Sequence, residues 1–378
     1  MTTQAFDILI IGAGIAGTSV AAQLASTHRV AVLEREEFPG YHSTGRSAAL
    51  FSEIYGNNVV RALSRASRDF FYAPPPGFAA QLVKPRGSLY VASKKQLPHL
   101  EAFAQNADLA GAIRRLTAQE ALRACPILRP DYVSAAVIED DAADVDVNAL
   151  HQGYLREFRR AGGTLVVNAD VRALHRDGHW IAETGLGTFT APIIVNAAGA
   201  WADAIALKAG LAPLRIRPCR RTAVLAELPP GVSADAWPMV IDIDETFYLK
   251  PDAGLLLISP ADETPVAACD VQPEEFDVAV AIDRVQHATT LTVARIRKRW
   301  AGLRSFAPDR SPVIGFDSNA PGFFWLAGQG GYGIQTAPAA ARLAAALLRG
   351  ETPSDMDVSV AQLSPDRFAS KMPARSRA

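Results

Sequence analysis

The sequence predicts an α/β chain in which a Rossmann-like dinucleotide-binding domain carries an inserted α+β domain built on a mostly antiparallel sheet. Three observations predict it. Asp7-Ile-Leu-Ile-Ile-Gly12-Ala-Gly14-Ile-Ala-Gly17 is an apolar run that breaks into G-x-G-x-x-G, followed by a small-residue helical stretch and a second apolar run, Val30-Ala-Val-Leu33. Near the other end, Gly328-Gln-Gly-Gly331-Tyr-Gly333 separates an apolar run from an alanine-rich helix. Between about 213 and 300 the texture changes to alternating segments separated by Pro- and Gly-rich turns, the pattern of an antiparallel layer.

Each part of the first motif has a physical job. Gly12 allows a tight turn, Gly14 has no side chain to hold the backbone off a pyrophosphate, and Gly17 lets the helix press on the strand. The helix N-terminus offers N–H groups and partial positive charge to phosphates. Glu34 follows Gly14 by about 20 residues, where its carboxylate can accept from a ribose diol. Strand, turn, helix, strand and acid together point to a dinucleotide.

The next stretch, Arg35 to Ala49, contains Ser43, Thr44, Gly45, Arg46 and Ser47, a polar turn expected to open into a helix. It can present N–H groups and hydroxyls to phosphates, with charge from Arg46, or it can be a plain capped helix start. Residues 58 to 72 are helical by the spacing of Val59, Leu63, Ala66 and Phe70, and stop before Pro74-Pro-Pro-Gly77. Residues 86 to 92 form a strand, and 96 to 122 a helical surface excursion in which Thr117 and Glu120 make a capping box. A helix from Asp146 carries Leu150, Tyr154, Leu155 and Phe158 on one face and closes at Gly162-Gly163.

Strands follow at 164 to 168 and 188 to 199, with Val171 beginning the stretch between them. The second strand ends in Asn-Ala-Ala198-Gly199, small residues that leave room for something flat. The late glycine turn delivers another helix N-terminus, an anion site separate from the first. The tail past Ser364 is polar and expected to fray. The domain division is then 1–85 with 145–212 and 301–364 for the cofactor, 86–144 with 213–300 for the substrate, and 365–378 as tail.

At 378 residues the chain suits two or three domains, and 49% apolar with 20% charged residues suits a large ordered core. A net charge of −1 gives no electrostatic case for nucleic acid. The three cysteines, Cys125, Cys219 and Cys269, lack C-x-x-C spacing, so neither a disulfide framework nor a metal site is suggested. No basic start precedes an apolar signal core, and no apolar stretch reaches the ~20 residues that span a bilayer. A cytoplasmic protein is expected, with peripheral contact at the inner membrane face left open.

The order of these motifs, with Asn196-Ala-Ala-Gly-Ala-Trp201 between them, resembles the FAD-dependent D-amino acid oxidase and glycine oxidase superfamily over nearly the whole chain. Tyr41 to Ala49, Leu150 to Arg156, Phe247 to Gly254, Trp300 to Phe306 and Gln329 to Thr336 look like the bacterial D-arginine dehydrogenases. The resemblance implies noncovalent FAD held by Ala16, Glu34, Arg35, residues 43 to 49 including Ala48 and Ala49, Val171, and the turn Gly330, Gly331, Tyr332, Gly333, Ile334 and Gln335. It implies oxidative deamination of an amino acid by hydride transfer from Cα to the flavin. The imino acid released then hydrolyses to a 2-oxo acid and ammonia. Electrons leave to an acceptor the sequence does not identify, a quinone or other carrier, or dioxygen.

A substrate carboxylate requires a bidentate cation. Arg304 and Arg221 match the family's clamp; adjacent Arg220 and Arg221 face opposite sides of a strand, and the resemblance selects Arg221. Tyr55 and Tyr248 match residues that bond the carboxylate or gate the pocket, and Gly331 matches the turn whose carbonyl accepts from the amine. Leu50, Ser52 and Ser88 fall in the side-chain pocket. Ser88 replaces the glutamate that receives guanidinium in the arginine enzymes, and Leu50 replaces a histidine. Neutral or apolar D-amino acids are therefore expected over D-Arg, with acidic side chains less excluded. The alternatives are a glycine- or sarcosine-type secondary amine oxidase, or a flavin-binding module without turnover.

Overall fold

Two large sheets organise the chain, and residue alternation explains how each is covered. The computed structural model describes residues 3–352 and 356–371. Its first sheet runs Thr164–Val166, Val30–Leu33, Ile8–Ile11, Ile193–Asn196, Phe323–Ala327, Val313–Phe316, parallel throughout except for the last pair. Ile8–Ile11, Val30–Leu33 and Phe323–Ala327 are buried at every position, as a parallel sheet covered on both faces requires. Ile8, Ile10, Val30 and Val32 pack with the helices Ile15–Leu24 and Gly333–Leu348. Leu9, Ile11, Ala31 and Leu33 meet the helix Ala202–Lys208 and a small sheet formed by 173–191 with Thr3–Ala5. Each such side chain contributes roughly 1.5–3 kcal/mol, so the glycine turns hang from a stable frame.

The second sheet runs Gln329–Gly330, Ile296–Phe306, Arg217–Ala226, Leu255–Ser259, Tyr248–Asp252, Met239–Asp242, Ser88–Ala92, Ala135–Glu139, Arg114–Thr117. It is antiparallel apart from Met239–Asp242 beside Ser88–Ala92. The α/β class and the antiparallel insertion are thus both present. In the long pair, Cys219 stands opposite Arg304 and Arg221 opposite Gly302. Cross-strand partners share a face, as do positions two apart, so Arg221 and Arg304 project to the same side. Arg220 projects to the other side and pairs with Glu274 and Asp277 around the helix Glu275–Ala288.

Several expectations are corrected. The turn at 41–46 opens into the short strand Leu50–Phe51, not a helix, and Thr44 Oγ1 instead accepts from Ile15 N at the start of the first helix. The excursion at 96–122 is broken by the strand Arg114–Thr117, which joins the second sheet; the capping box of Thr117 and Glu120 starts the next helix. The apolar run 188–199 is two strands, because Pro192 lacks a ladder donor where the chain leaves the small sheet for the large one. The 300/301 boundary falls inside the strand Ile296–Phe306. The tail at its start is packed: Arg367 pairs with Asp309 and Phe368 is buried. The rest of it, 372–378, lies outside the described residues.

Candidate active site

One continuous cavity runs from the first glycine turn to the paired arginines. At the dinucleotide end, Gly12 has φ +103°, and a Cβ there would lie 2.6 Å from Ala197 O. Gly17 is tighter still, its Cβ position 1.9 Å from Gly12 O. Glu34 is buried and accepts from Ala13 N (2.7 Å) and Glu36 N (2.9 Å), which fixes its carboxylate beside the turn. Gly14, Ala16, Arg35, Ser43, Thr44, Ser47, Ala48, Ala49, Val171, Ala198 and Gly199 share this end of the wall. The Ser43 hydroxyl donates to Leu303 O (2.7 Å), fastening the segment to the second sheet.

The late turn closes the middle. Gly330, at φ +57°, faces Phe306 so closely that a Cβ would lie 2.4 Å from its ring, and a Cβ on Gly331 would lie 2.8 Å from the Arg304 guanidinium. The helix Gly333–Leu348 starts here without a side-chain cap, whereas the first N–H of Ile15–Leu24 is taken by the Thr44 hydroxyl. Ser305, opposite Gly330 in the ladder, lines the cavity with a buried hydroxyl that has no partner among the described residues. Glycine-cleared walls, the uncapped N-terminus of Gly333–Leu348 and an orphaned hydroxyl beside it fit FAD.

At the far end, Arg304 Nη1 donates to the Tyr55 hydroxyl (3.0 Å), and no carboxylate among the described residues pairs with it. Arg221 is held by Glu263 (3.1 Å) and by Asp262 O (2.7 Å), and sits 6.0 Å from the Tyr248 ring centre. Burial opposes the charge on Glu263, but Arg310, Arg221 and Arg304 hold its carboxyl below the usual range. The chamber wall therefore carries one guanidinium, that of Arg304, without a carboxylate partner among the described residues. Leu50, Ala223, Met239 and Ile241 give it apolar walls, Tyr90 adds a ring, and Glu245 stands in its wall at φ +52°.

Four expected residues lie outside the cavity wall. Gly17 and Gly45 serve close backbone approach, Tyr332 packs against Tyr55 (4.9 Å between rings), and Ser88 is fully buried behind it. Arg46 lines the cavity but spends its guanidinium on Asp270, Val271 O and Ala301 O, so it adds no free charge for phosphate. Gln335 likewise gives its amide to Ser64. The carboxylate lost at position 88 is offset from the next strand. Glu139, opposite Ser88, is buried and accepts from Ser52 Oγ (2.6 Å), Ser88 Oγ (3.0 Å) and Glu53 N (2.8 Å). Burial pushes its carboxyl up against those three bonds. A carboxylate therefore stays near the side-chain pocket, behind Ser52, even with Ser88 at that position.

His151 was not anticipated in the cofactor end. It is buried on the helix Val147–Arg160, with Nε2 3.0 Å from Ala13 O and its ring against Gly40. Burial lowers its pKa from 6.5. Unfolding then takes up a proton, so its contribution is complete above 6.5 and is lost as pH falls below that. A His151→Gln variant is expected to lose less thermal stability than the parent between pH 7 and pH 5, which melting curves at fixed ionic strength would check.

Comparison with known proteins places these features in company. Residues 7–347 match the model of the family described as FAD dependent oxidoreductase. Glycine oxidase of Geobacillus kaustophilus (strain HTA426) is 26% identical over 372 residues, covering 94% of this chain and 96% of the relative. The crystal structure of glycine oxidase from that species superposes with a TM-score of 0.83 at 22% identity, covering 96% and 99%. That of iminodiacetate oxidase from Chelativorans sp. BNC1 gives 0.79 at 26%, covering 95% and 98%. Two of these carry the name glycine oxidase, one iminodiacetate oxidase and none D-arginine dehydrogenase, so the likeness to the arginine enzymes is not what they support. No helix among the described residues is long and apolar enough to cross a membrane.

Proposed function

The chain belongs to the FAD-dependent oxidoreductase family, and from that premise we propose that it oxidatively deaminates neutral D-amino acids. The observation that carries this reading is Arg304, a cation without a carboxylate partner among the described residues, on the same sheet face as Arg221 in a chamber walled in part by Leu50, Ala223, Met239 and Ile241. A guanidinium offers parallel donors to a carboxylate, and the low-dielectric wall strengthens them. Tyr55 and Tyr248 flank the clamp, and the carbonyl of Gly331 is the acceptor assigned to the substrate amine. Bound FAD supplies the acceptor for the hydride leaving Cα. Leu50, Met239 and Ile241 hold the side chain and keep water from the reacting carbon. With Ser88 in place of a carboxylate, and Glu139 held behind Ser52 and Ser88 rather than in the cavity wall, a guanidinium side chain loses a direct charge-assisted partner worth roughly 1.5–3 kcal/mol, so neutral side chains are favoured over D-Arg.

Handedness and the dehydrogenase character come from the sequence resemblance at 41–49, 247–254, 300–306 and 329–336. The named glycine oxidases favour a second reading, a glycine- or sarcosine-type secondary amine oxidase. A cytoplasmic location and the domain division given above belong to the same proposal. The decisive test is the visible spectrum of the holoprotein under anaerobic conditions with D-Leu, L-Leu, D-Arg, glycine and sarcosine added separately. D-Leu is expected to bleach the oxidised flavin while L-Leu does not, and the rate of recovery in air separates a dehydrogenase (slow) from an oxidase (fast). D-Arg reacting with the highest kcat/KM would overturn the specificity, and bleaching by glycine or sarcosine alone would establish the second reading.

A further inference from the structure

The carboxylate of Glu139 has no cation partner among the described residues and is satisfied by three donors. Of these, the Ser88 hydroxyl is sealed away, while Ser52 lies in the wall of the substrate chamber. A serine hydroxyl has one proton and two lone pairs. Its proton is committed to Glu139 at 2.6 Å, the shortest of the three bonds and in the range of charge-assisted ones. What Ser52 shows the chamber is acceptor only. The neighbouring wall residues Leu50, Met239 and Ile241 offer no polar side-chain atom, so this oxygen, with the side chains of Tyr90 and Glu245 on the same wall, is a polar feature that a substrate side chain meets there.

We propose that Ser52, polarised by the positioning residue Glu139, is a side-chain subsite that selects substrates carrying a neutral hydrogen-bond donor, such as an amide, over apolar isosteres and over acidic ones. This rests on the reading of the chamber as an amino acid site and names its side-chain class. The donor order has a consequence that can be inverted. In Glu139→Gln the amide oxygen must face Glu53 N, which can only donate, so the amide NH2 turns toward the two serines. Ser52 then accepts from behind and its proton is released to the chamber.

The test uses holoenzyme and three achiral, amine-free probes: succinamate, 4-methylpentanoate and succinate, titrated by perturbation of the flavin spectrum at pH 8. Binding through the carboxylate clamp needs no turnover, so the result is independent of which amino acid reacts. In the parent, succinamate is expected to bind roughly three- to tenfold tighter than 4-methylpentanoate, with succinate weakest. Ser52→Ala erases the advantage of succinamate, and Glu139→Gln moves succinate ahead of 4-methylpentanoate. An unchanged ranking in Glu139→Gln with full FAD content, or a retained succinamate advantage in Ser52→Ala, overturns the subsite. If the probes rank as stated but no D-amino acid reduces the flavin, the deamination reading falls and the subsite stands.

Discussion

Replacing Arg304 with Met is expected to lower kcat/KM for the best D-amino acid by about 10²–10³ while leaving FAD content unchanged. Arg304 spends one N–H on Tyr55 and has no carboxylate partner among the described residues, so the rest of its fork is available to substrate. Truncating one partner of a desolvated charge pair costs roughly 2–5 kcal/mol, and each 1.4 kcal/mol is tenfold. Arg304→Lys should recover only part of the loss, since a point charge cannot match the planar fork. Arg221→Met is expected to cost less, because Arg221 also serves Glu263, which keeps Arg310 when Arg221 is removed. Stopped-flow flavin reduction against substrate concentration measures both. An Arg304→Met enzyme that keeps more than about a tenth of parental kcat/KM would place the carboxylate elsewhere.

Gly17→Ala is expected to empty the cofactor site. The added Cβ would fall 1.9 Å from Gly12 O and 3.3 Å from Ile10 Cγ2. The first neighbour is backbone, in the turn assigned to the dinucleotide, so the helix must lift off the strand to admit a methyl group. Overpacking of this kind costs about 1–3 kcal/mol, and more where backbone must move. FAD retained through purification should fall well below the parent's, with a melting temperature lower by several degrees. Gly178→Ala is the matched control: φ is +65° but nothing lies within 4 Å of the new Cβ, so FAD should be retained. The flavin-to-protein absorbance ratio reports the result, and a fully loaded Gly17→Ala protein would refute the close-approach argument.

The cofactor end was legible because its determinants are local. Glycines at fixed offsets, an acid after the second strand and apolar runs on both sides sit within one βαβ unit. The opposed facing of Arg220 and Arg221 followed from strand alternation alone. The chamber's far wall was not legible. Tyr90, Met239 and Ile241 reach it through the parallel pairing of Ser88–Ala92 with Met239–Asp242, a contact between segments remote in sequence. Glu139 closes an otherwise apolar strand, Ala135–Glu139. A carboxylate in that position was a signal, but only the register opposite Ser88 gives it a role. Arg46 misled because charge near a phosphate turn suggests phosphate, while Asp270, distant in sequence, had already claimed it.

Between Phe323–Ala327 in one sheet and Gln329–Gly330 in the other stands a single residue, Gly328, and the helix that follows begins at Gly333. Ser43 on Leu303 O and Trp300 Nε1 on Arg46 O add two more stitches across the same seam. A joint with so little slack cannot work as a clamshell. Traffic into and out of the chamber is then expected to be local, by side chains and short loops such as the one bearing Glu245, with the glycine turns and the paired arginines held at a fixed separation.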